Sequence, residues 1–186
     1  MNVIEAIELR LSIKHFTHVP VPSGDLERLL AAAVLAPNHR MTQPWRFLVL
    51  GPVARAEYGR IVADRKASRV AEEAAADAVR RKVEAEYAAV PAMVAVAVRL
   101  ADEAEVREED FAATFMAMEN LCLAAVELGL GTHLRTGAVL EDPRVRAALA
   151  VPAGERLVAV VQLGFPAEHP APKPRLPAAE LTRWLA

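Results

Sequence analysis

The chain has 186 residues, of which 54% are hydrophobic and 25% are charged, and its formal net charge is −2. This size and hydrophobic content suit one globular domain, residues 1–186, with a sizeable core. The slight acidic excess argues against nucleic acid as a partner, and no Lys/Arg-rich tail is present to bind an anionic membrane surface.

The sequence carries no pattern typical of a signal peptide or a membrane span. A helical pattern that includes Glu5 and Glu8 begins at once, unlike the apolar core of a signal peptide. The longest apolar run, 92–98, is far shorter than the about 20 residues that span a bilayer. These features predict a cytoplasmic protein. The single cysteine, Cys122, lies in an apolar helical pattern, so we expect a buried core residue.

The N-terminal part is predicted to form two helices. Asn2 and Glu5 have the spacing of a capping box, which predicts a helix over residues 3–10. A second helix opens at Ser23, whose hydroxyl suits an N-cap, and Pro37 ends it.

The middle of the chain is predicted to alternate between strands and helices. Residues 45–50 have the composition of a strand, closed by Gly51-Pro52. Residues 53–88, rich in Ala, Glu, Arg and Lys, are predicted to be helical, with their charges on a solvated face and no assigned function. The β-branched run 92–100 predicts a buried strand.

The longest helical signal covers residues 108–129, where apolar residues recur every three or four positions. Because the segment is apolar on most sides, it is expected at the centre of the assembly. Gly129-Leu130-Gly131 is expected to end this helix with a left-handed glycine.

The C-terminal part is predicted to hold one more helix, one more strand and an extended tail. Asp142-Pro143 predicts a short helix to about Leu149, and 156–163 reads as a buried strand. Four prolines keep 168–177 extended. The tail is expected to dock through its last apolar side chains, which are Leu181, Trp184 and Leu185.

This order of elements predicts an α+β fold rather than strict βαβ alternation. The sequence has no GxGxxG after a strand, which disfavours a Rossmann dinucleotide site, and it has no P-loop, HExxH or CxxC. No metal site is predicted.

Three short segments carry candidate binding groups. Arg10, Ser12 and Lys14 follow a helix end and have the chemistry to surround a phosphate, although three solvated surface residues would give the same pattern. The loop 36–45 places a histidine, an asparagine and a glutamine between a helix and a strand, or it is simply a polar connection. The amides of 129–137 can approach a planar ring, unless this segment is an ordinary helix-to-strand turn.

Together, these segments resemble motifs of the nitroreductase family of FMN-dependent oxidoreductases. The residues at 37–40 and 134–137 are most similar to those of its short, minimal members. The match covers roughly 8–50 and 111–177. The matching motifs are Arg-x-Ser-Ile-Lys-x-Phe at 10–16, Ala-Pro at 36–37, Gln-Pro-Trp-Arg-Phe at 43–47, the helix and glycine exit at 120–132, Leu-Gly-Phe-Pro at 163–166 and Lys-Pro-Arg-Leu-Pro at 173–177.

The resemblance implies a nitroreductase-like α+β fold with a central mixed, mainly antiparallel sheet flanked by helices. It also implies an intertwined homodimer with a long central helix and FMN at the subunit interface. Leu35 and His39 would reach the flavin from the partner subunit. The implied cofactor-binding residues are Arg10, Leu11, Ser12, Lys14, Leu35, His39, Gln43, Leu134, Arg135, Thr136, Gly137, Lys173 and Arg175. The implied nicotinamide-binding residues are Ala124, Ala125, Val126, Glu127, Leu128 and Gly129.

The chain departs from the family pattern in two of these motifs and in the short region between the second predicted strand and the long helix, which would leave the pocket without a helical lid. Leu11 replaces a second arginine of the opening motif, so the phosphate would depend on Arg10 and Lys14 together with the tail cations. His39 and Met41 replace small residues of the larger members, which leaves the substrate class open.

The resemblance implies that NADH or NADPH reduces FMN and that a nitroaromatic, a quinone or a related acceptor then takes the electrons by ping-pong turnover. No side chain is required as an obligatory acid or nucleophile, because the cofactor carries the bond chemistry. Arg135 or Lys14 would stabilise negative charge on the flavin. Alternatives are a same-fold flavoenzyme performing enone reduction, dehalogenation or flavin fragmentation, a non-catalytic flavin- or small-ligand-binding module, or a helical interaction protein.

Overall fold

The computed structural model describes residues 1–185, which form seven α-helices and four β-strands. Most of the predicted elements are confirmed to within a few residues. The helices are α1 (Val3–Leu9), α2 (Ser23–Ala33), α3 (Pro52–Ala67), α4 (Glu73–Ala88), α5 (Ala104–Glu127), α6 (Pro143–Ala148) and α7 (Ala178–Leu181). The strands are β1 (Trp45–Val49), β2 (Ala92–Arg99), β3 (Gly131–Arg135) and β4 (Glu155–Gly164).

The four strands form one antiparallel sheet in the order β1-β2-β4-β3. Beyond the sheet itself, Ser12 makes a single parallel bridge to Thr132 of β3. The predicted α+β class with a mainly antiparallel sheet is therefore confirmed. Strand β3 was not predicted, because its glycine and polar residues give a weak strand pattern and its pairing with β4 is a long-range interaction.

Helices cover both faces of the sheet. Strand β2 is buried on both faces and sends alternate side chains into two separate cores. Val94 and Val96 pack with α2 and α5, whereas Met93 and Ala95 pack with α3, α4 and α6. This arrangement explains the nearly continuous apolar run predicted for this strand.

Helix α5 has 24 residues and is the longest element, starting four residues before the prediction. Cys122 lies on its buried side with 0% exposure, as predicted, and burial raises the pKa of its thiol to about 11. The helix ends at Glu127 with Leu128 as its C-cap, and Gly129 follows with φ of 70°, the left-handed conformation expected of the glycine.

The capping box at the start of α1 is confirmed, because Asn2 and Glu5 exchange hydrogen bonds of 3.0 Å between side chains and backbone amides. The tail from Glu168 to Pro177 contains no regular secondary structure, and α7 follows it without having been predicted. Trp184 is 93% exposed in the single chain. Within residues 1–185, no helix is both long and apolar enough to cross a membrane.

Candidate functional site: two adjoining cationic clefts

The segment after α1, residues 10–17, is called the opening segment, and it lies directly against the edge strand β3. The amide of Ile13 donates to the carbonyl of Thr132 at 2.9 Å, next to the parallel bridge formed by Ser12. Ile13 is buried, whereas Ser12 and Lys14 on either side of it are exposed. The alternation therefore anchors the segment through Ile13 and leaves its two polar neighbours accessible to a ligand.

The C-terminal tail starts beside the same segment. The amide of Thr17 donates to the carbonyl of Phe165 at 2.8 Å, and the amide of Ala167 donates to the carbonyl of His15 at 3.0 Å. Glu168 then comes within 3.8 Å of the His15 imidazole. These contacts bring the basic tail residues next to the cations of the opening segment.

A cleft of about 290 Å³ lies between the opening segment and the tail, and we call it the first cleft. It unites six of the predicted cofactor-binding residues, including four cations. Glu168 is the single carboxylate in its lining. Its lining is Arg10, Leu11, Ser12, Lys14, His15, Glu168, Pro170, Ala171, Lys173 and Arg175.

Arg10 is held at the edge of this cleft by α5. It is the C-cap residue of α1, and its Nε lies 3.4 Å from the Oε1 atom of Glu119. The Arg10 side chain is mostly buried, with 26% of it exposed. This ion pair restricts the guanidinium while leaving donors free for a further anion.

A second cleft of about 330 Å³ adjoins the first, because Lys14 and His15 line both. Its lining includes three permanent cations, Lys14, Lys66 and Arg135, against the single carboxylate of Glu86. The full lining is Lys14, His15, Phe16, Lys66, Glu86, Tyr87, Ala89, Val90, His133, Arg135 and Gln162.

The surroundings of His133 in the second cleft lower its pKa. Burial is the largest cause that lowers the pKa of His133, and the positive charge of Arg135, then that of Lys14, lowers it further. A hydrogen bond to Gln162 opposes these effects. His133 therefore favours the neutral form and leaves the permanent cations to dominate the cleft.

The predicted residues at the end of β3 divide between the two faces of the sheet. Arg135 lines the second cleft, whereas Leu134 packs towards the core that contains α5. Thr136 and Gly137 are exposed beyond the strand end, and Gly137 has φ of 113° and ψ of −178°, a conformation essentially restricted to glycine.

The loop between α2 and β1 is held in a strained conformation. Arg40, Met41 and Gln43 all have positive φ, which is rare for side-chain-bearing residues. The side chain of Asn38 accepts a 2.6 Å hydrogen bond from the Gln43 amide, and Thr42 donates to the buried carboxylate of Asp110 on α5.

The predicted loop residues lie outside both clefts. His39 pairs with Glu109 at 2.9 Å and is 68% exposed, and Gln43 is exposed as well. Leu35, just after α2, is 79% exposed. The single subunit therefore does not bring Leu35, His39 or Gln43 together with the residues of the first cleft.

The predicted nicotinamide segment covers the last turn of α5 and the two residues after it, and it also lies outside both clefts. Ala125 is completely buried, and Ala124 and Leu128 pack against the same core. Val126 is half-buried. Glu127 is exposed and lies 3.3 Å from the N-terminal amine.

Most residues of the second cleft were not predicted as site residues. Lys66, Glu86 and Tyr87 come from the helical region that was given no function. His133 was recognisable in principle, because it alternates with Thr132 and Leu134 in a short strand pattern. An exposed lysine in a charged helix has no comparable local signal, since its neighbours come from distant parts of the chain.

Comparison with known proteins identifies similar sequences over nearly the whole chain. Residues 7–165 match the sequence profile of the Nitroreductase family. The chain is 32% identical over 176 residues to the Bacillus subtilis protein named "Putative NAD(P)H nitroreductase YfhC", covering 93% of this chain and 89% of that protein. It is 33% identical over 176 residues to a 5,6-dimethylbenzimidazole synthase of Rhodospirillum rubrum, covering 88% of this chain and 82% of the synthase.

A solved structure from Desulfovibrio desulfuricans, determined in complex with FMN, shares the fold. The two chains are 26% identical with a TM-score of 0.73, and the alignment covers 100% of this chain and 98% of that one.

Proposed function

Because this chain belongs to the nitroreductase family, we propose that it is an FMN-dependent oxidoreductase that oxidises NADH or NADPH and reduces small acceptors such as nitroaromatics or quinones. The observation that carries the proposal is the first cleft, in which the opening segment and the tail place four cations around one hydroxyl. Such a donor set matches the phosphate of a flavin mononucleotide better than it matches a neutral ligand.

The residues present fit the FMN phosphate despite the leucine at position 11. The family's second arginine is absent there, but Lys173 and Arg175 from the tail bring additional positive charge to the cleft. Arg10 offers a planar fork, Lys14 a point charge and Ser12 a hydroxyl. We assign the phosphate to these five side chains.

When bound, FMN would supply the hydride acceptor and the electron donor of a two-step reaction. The chain's own residues would bind and orient it. Lys14 belongs to both clefts, so it would contact the cofactor between its phosphate and its ring system. Arg135 in the second cleft would then lie beside the ring, where a fixed positive charge favours the reduced state.

We further propose that the site is completed by a second copy of the chain. Leu35, His39 and Gln43 lie outside both clefts of their own subunit, so a role at the flavin requires them to come from a partner. Exposed apolar side chains on α1, at the end of α2 and in the tail support an interface. The predicted nicotinamide segment, 124–129, would border the site in this dimer. Sedimentation that yields the mass of one chain with bound FMN would contradict this arrangement.

The first experiment is the absorbance spectrum of the purified protein before and after anaerobic mixing with NADH or NADPH. We expect a flavin absorbance band that bleaches on mixing and returns when a quinone or nitroaromatic is added. A protein that binds no added FMN would overturn the proposal. A protein that binds FMN but is not reduced would instead be a flavin-binding module.

A second candidate reaction, flavin fragmentation, is favoured by the 33% identity to a 5,6-dimethylbenzimidazole synthase. The two reactions differ in the fate of the flavin, which is recovered intact in one and consumed in the other. Chromatography of the flavin after aerobic incubation with excess NAD(P)H distinguishes them. Complete recovery of FMN would leave the oxidoreductase as the function.

A further inference from the structure

Lys66 lies in the last turn of α3, and its side chain lines the second cleft together with Lys14 and Arg135. It comes from the helical region that the sequence left without a function. Within residues 1–185, Lys66 takes part in no ion pair, in contrast to Arg60 and Arg80, which are paired with Asp64. Its ammonium group is therefore available to a ligand in the cleft.

Glu86 on α4 supplies the opposing charge in the same cleft. The nearest cation to it is Lys82, whose Nζ lies 4.0 Å from the Oε1 atom of Glu86 one helical turn away. Such an exposed pair is worth little, so the carboxylate retains most of its influence on the cleft. Lys66 and Glu86 thus place one positive and one negative charge in the lining of one small volume.

Close packing of α3 against α4 fixes the backbone positions from which these two side chains extend. A Cβ atom added to Gly59 would lie 2.6 Å from the Cβ atom of Tyr87, so the two helix backbones approach where only glycine fits. Tyr87 lines the second cleft directly beside Glu86 and contacts Tyr58 edge to face, with ring centroids 5.5 Å apart. The two helices therefore present Lys66 and Glu86 to the second cleft from fixed backbone positions.

We propose that Lys66 and Glu86 set the reduction potential of the flavin, with Lys66 raising it and Glu86 lowering it. This inference rests on the proposed function, in which the cofactor extends from the first cleft past Lys14 into the second cleft. Hydride transfer moves two electrons and one proton from NAD(P)H to the flavin, leaving the nicotinamide with one positive charge more and the flavin with one negative charge more. A nearby cation therefore stabilises the reduced flavin more than the oxidised flavin. A nearby carboxylate destabilises the reduced flavin more than the oxidised flavin.

The test compares three variants of the flavin-loaded protein, Lys66→Met, Glu86→Gln and Arg65→Met. Arg65→Met is the matched control, because it also removes a cation from the last turn of α3. Arg65 is adjacent to Lys66 in the sequence but lines neither cleft. The midpoint potential is measured by equilibration with a redox dye, and the dissociation constant of oxidised FMN is measured separately by titration of the apoprotein.

For Lys66→Met we expect the preference for reduced over oxidised FMN to fall about tenfold, which for a two-electron couple is a shift of about 30 mV to more negative potential. Glu86→Gln should shift the potential in the positive direction, and Arg65→Met should leave it nearly unchanged. An unchanged potential in Lys66→Met, with FMN bound and reducible by NAD(P)H, would overturn this inference alone. Failure of the unmodified protein to bind FMN would instead overturn the proposed function.

Discussion

Gly131 and Ile13 approach each other so closely that no side chain fits between them. A Cβ atom added to Gly131 would lie 2.5 Å from the Cγ1 atom and 2.7 Å from the Cβ atom of Ile13. Ile13 in turn is 3% exposed, and its amide donates a hydrogen bond to the carbonyl of Thr132. The glycine at the start of β3 therefore allows the opening segment to lie against the sheet, with Ser12 and Lys14 facing the clefts.

Replacement of this glycine tests whether the contact matters. Gly131→Ala should force Ile13 outwards and lower the free energy of unfolding by about 1–3 kcal/mol, the usual cost of overpacking a core. Because Ile13 lies between two residues of the first cleft, we also expect weaker FMN binding. Urea denaturation and FMN titration of the apoprotein measure the two effects.

Gly24→Ala is the matched control for this variant, because nothing lies within 4 Å of a Cβ atom added at that position of α2. It should leave both quantities unchanged or raise stability slightly, since alanine is the better helix former. Equal behaviour of the two alanine variants would show that the close contact has no energetic role.

Removal of Arg10 tests the position of the phosphate. Arg10→Ala deletes a charge-assisted hydrogen bond worth about 2 kcal/mol, so the dissociation constant of FMN should rise about 30-fold. The reactivity of flavin that stays bound should change much less. Arg28→Ala, which removes an exposed arginine paired with Asp25 outside the clefts, should bind FMN normally. Unchanged affinity in Arg10→Ala would mean that the phosphate lies elsewhere.

The loop between α2 and β1 depends on a hydrogen bond to a buried carboxylate. Asp110 is 1% exposed and accepts from the Thr42 hydroxyl, while residues on both sides of Thr42 have positive φ. Thr42→Val keeps the shape but removes this donor, and it should lower the free energy of unfolding by about 1–3 kcal/mol. Thr182→Val, at an exposed position near the C-terminus, should cost far less. If the denaturation curves of the two variants coincide, the Thr42 hydroxyl has no stabilising role.

The buried thiol of Cys122 predicts a loss of stability at high pH. Burial raises its pKa from 9.0 to about 11, so the folded state holds a proton that the unfolded state releases as pH rises through this range. The free energy of unfolding should therefore fall between pH 9 and pH 11, by about 2–3 kcal/mol from this group.

Cys122→Ala isolates this contribution. Tyr58 and Tyr87 also have pKa values raised by burial and act in the same direction at high pH, so the slopes of the two proteins must be compared. We expect a shallower decline in Cys122→Ala. Parallel slopes in unfolding measurements from pH 8 to pH 11 would show that the thiol does not contribute.

The sequence alone identified the elements that local patterns specify. The apolar periodicity of α5, the apolar runs of β2 and β4 and the capping box of α1 all depend on neighbours within one or two turns. The cations of the opening segment and the tail could also be identified from the sequence, because the charge of a side chain depends on its residue type alone. Their resemblance to a family then indicated that these two distant segments share one ligand.

Only the tertiary structure decided which residues share the second cleft. Strand β3 is short and polar, and it exists because β4 pairs with it. Lys66 and Glu86 come from two exposed charged helices, and they line one cleft because Gly59 lets α3 approach α4. Such positions depend on contacts between residues far apart in the chain, so no local pattern of charge or hydrophobicity reveals them.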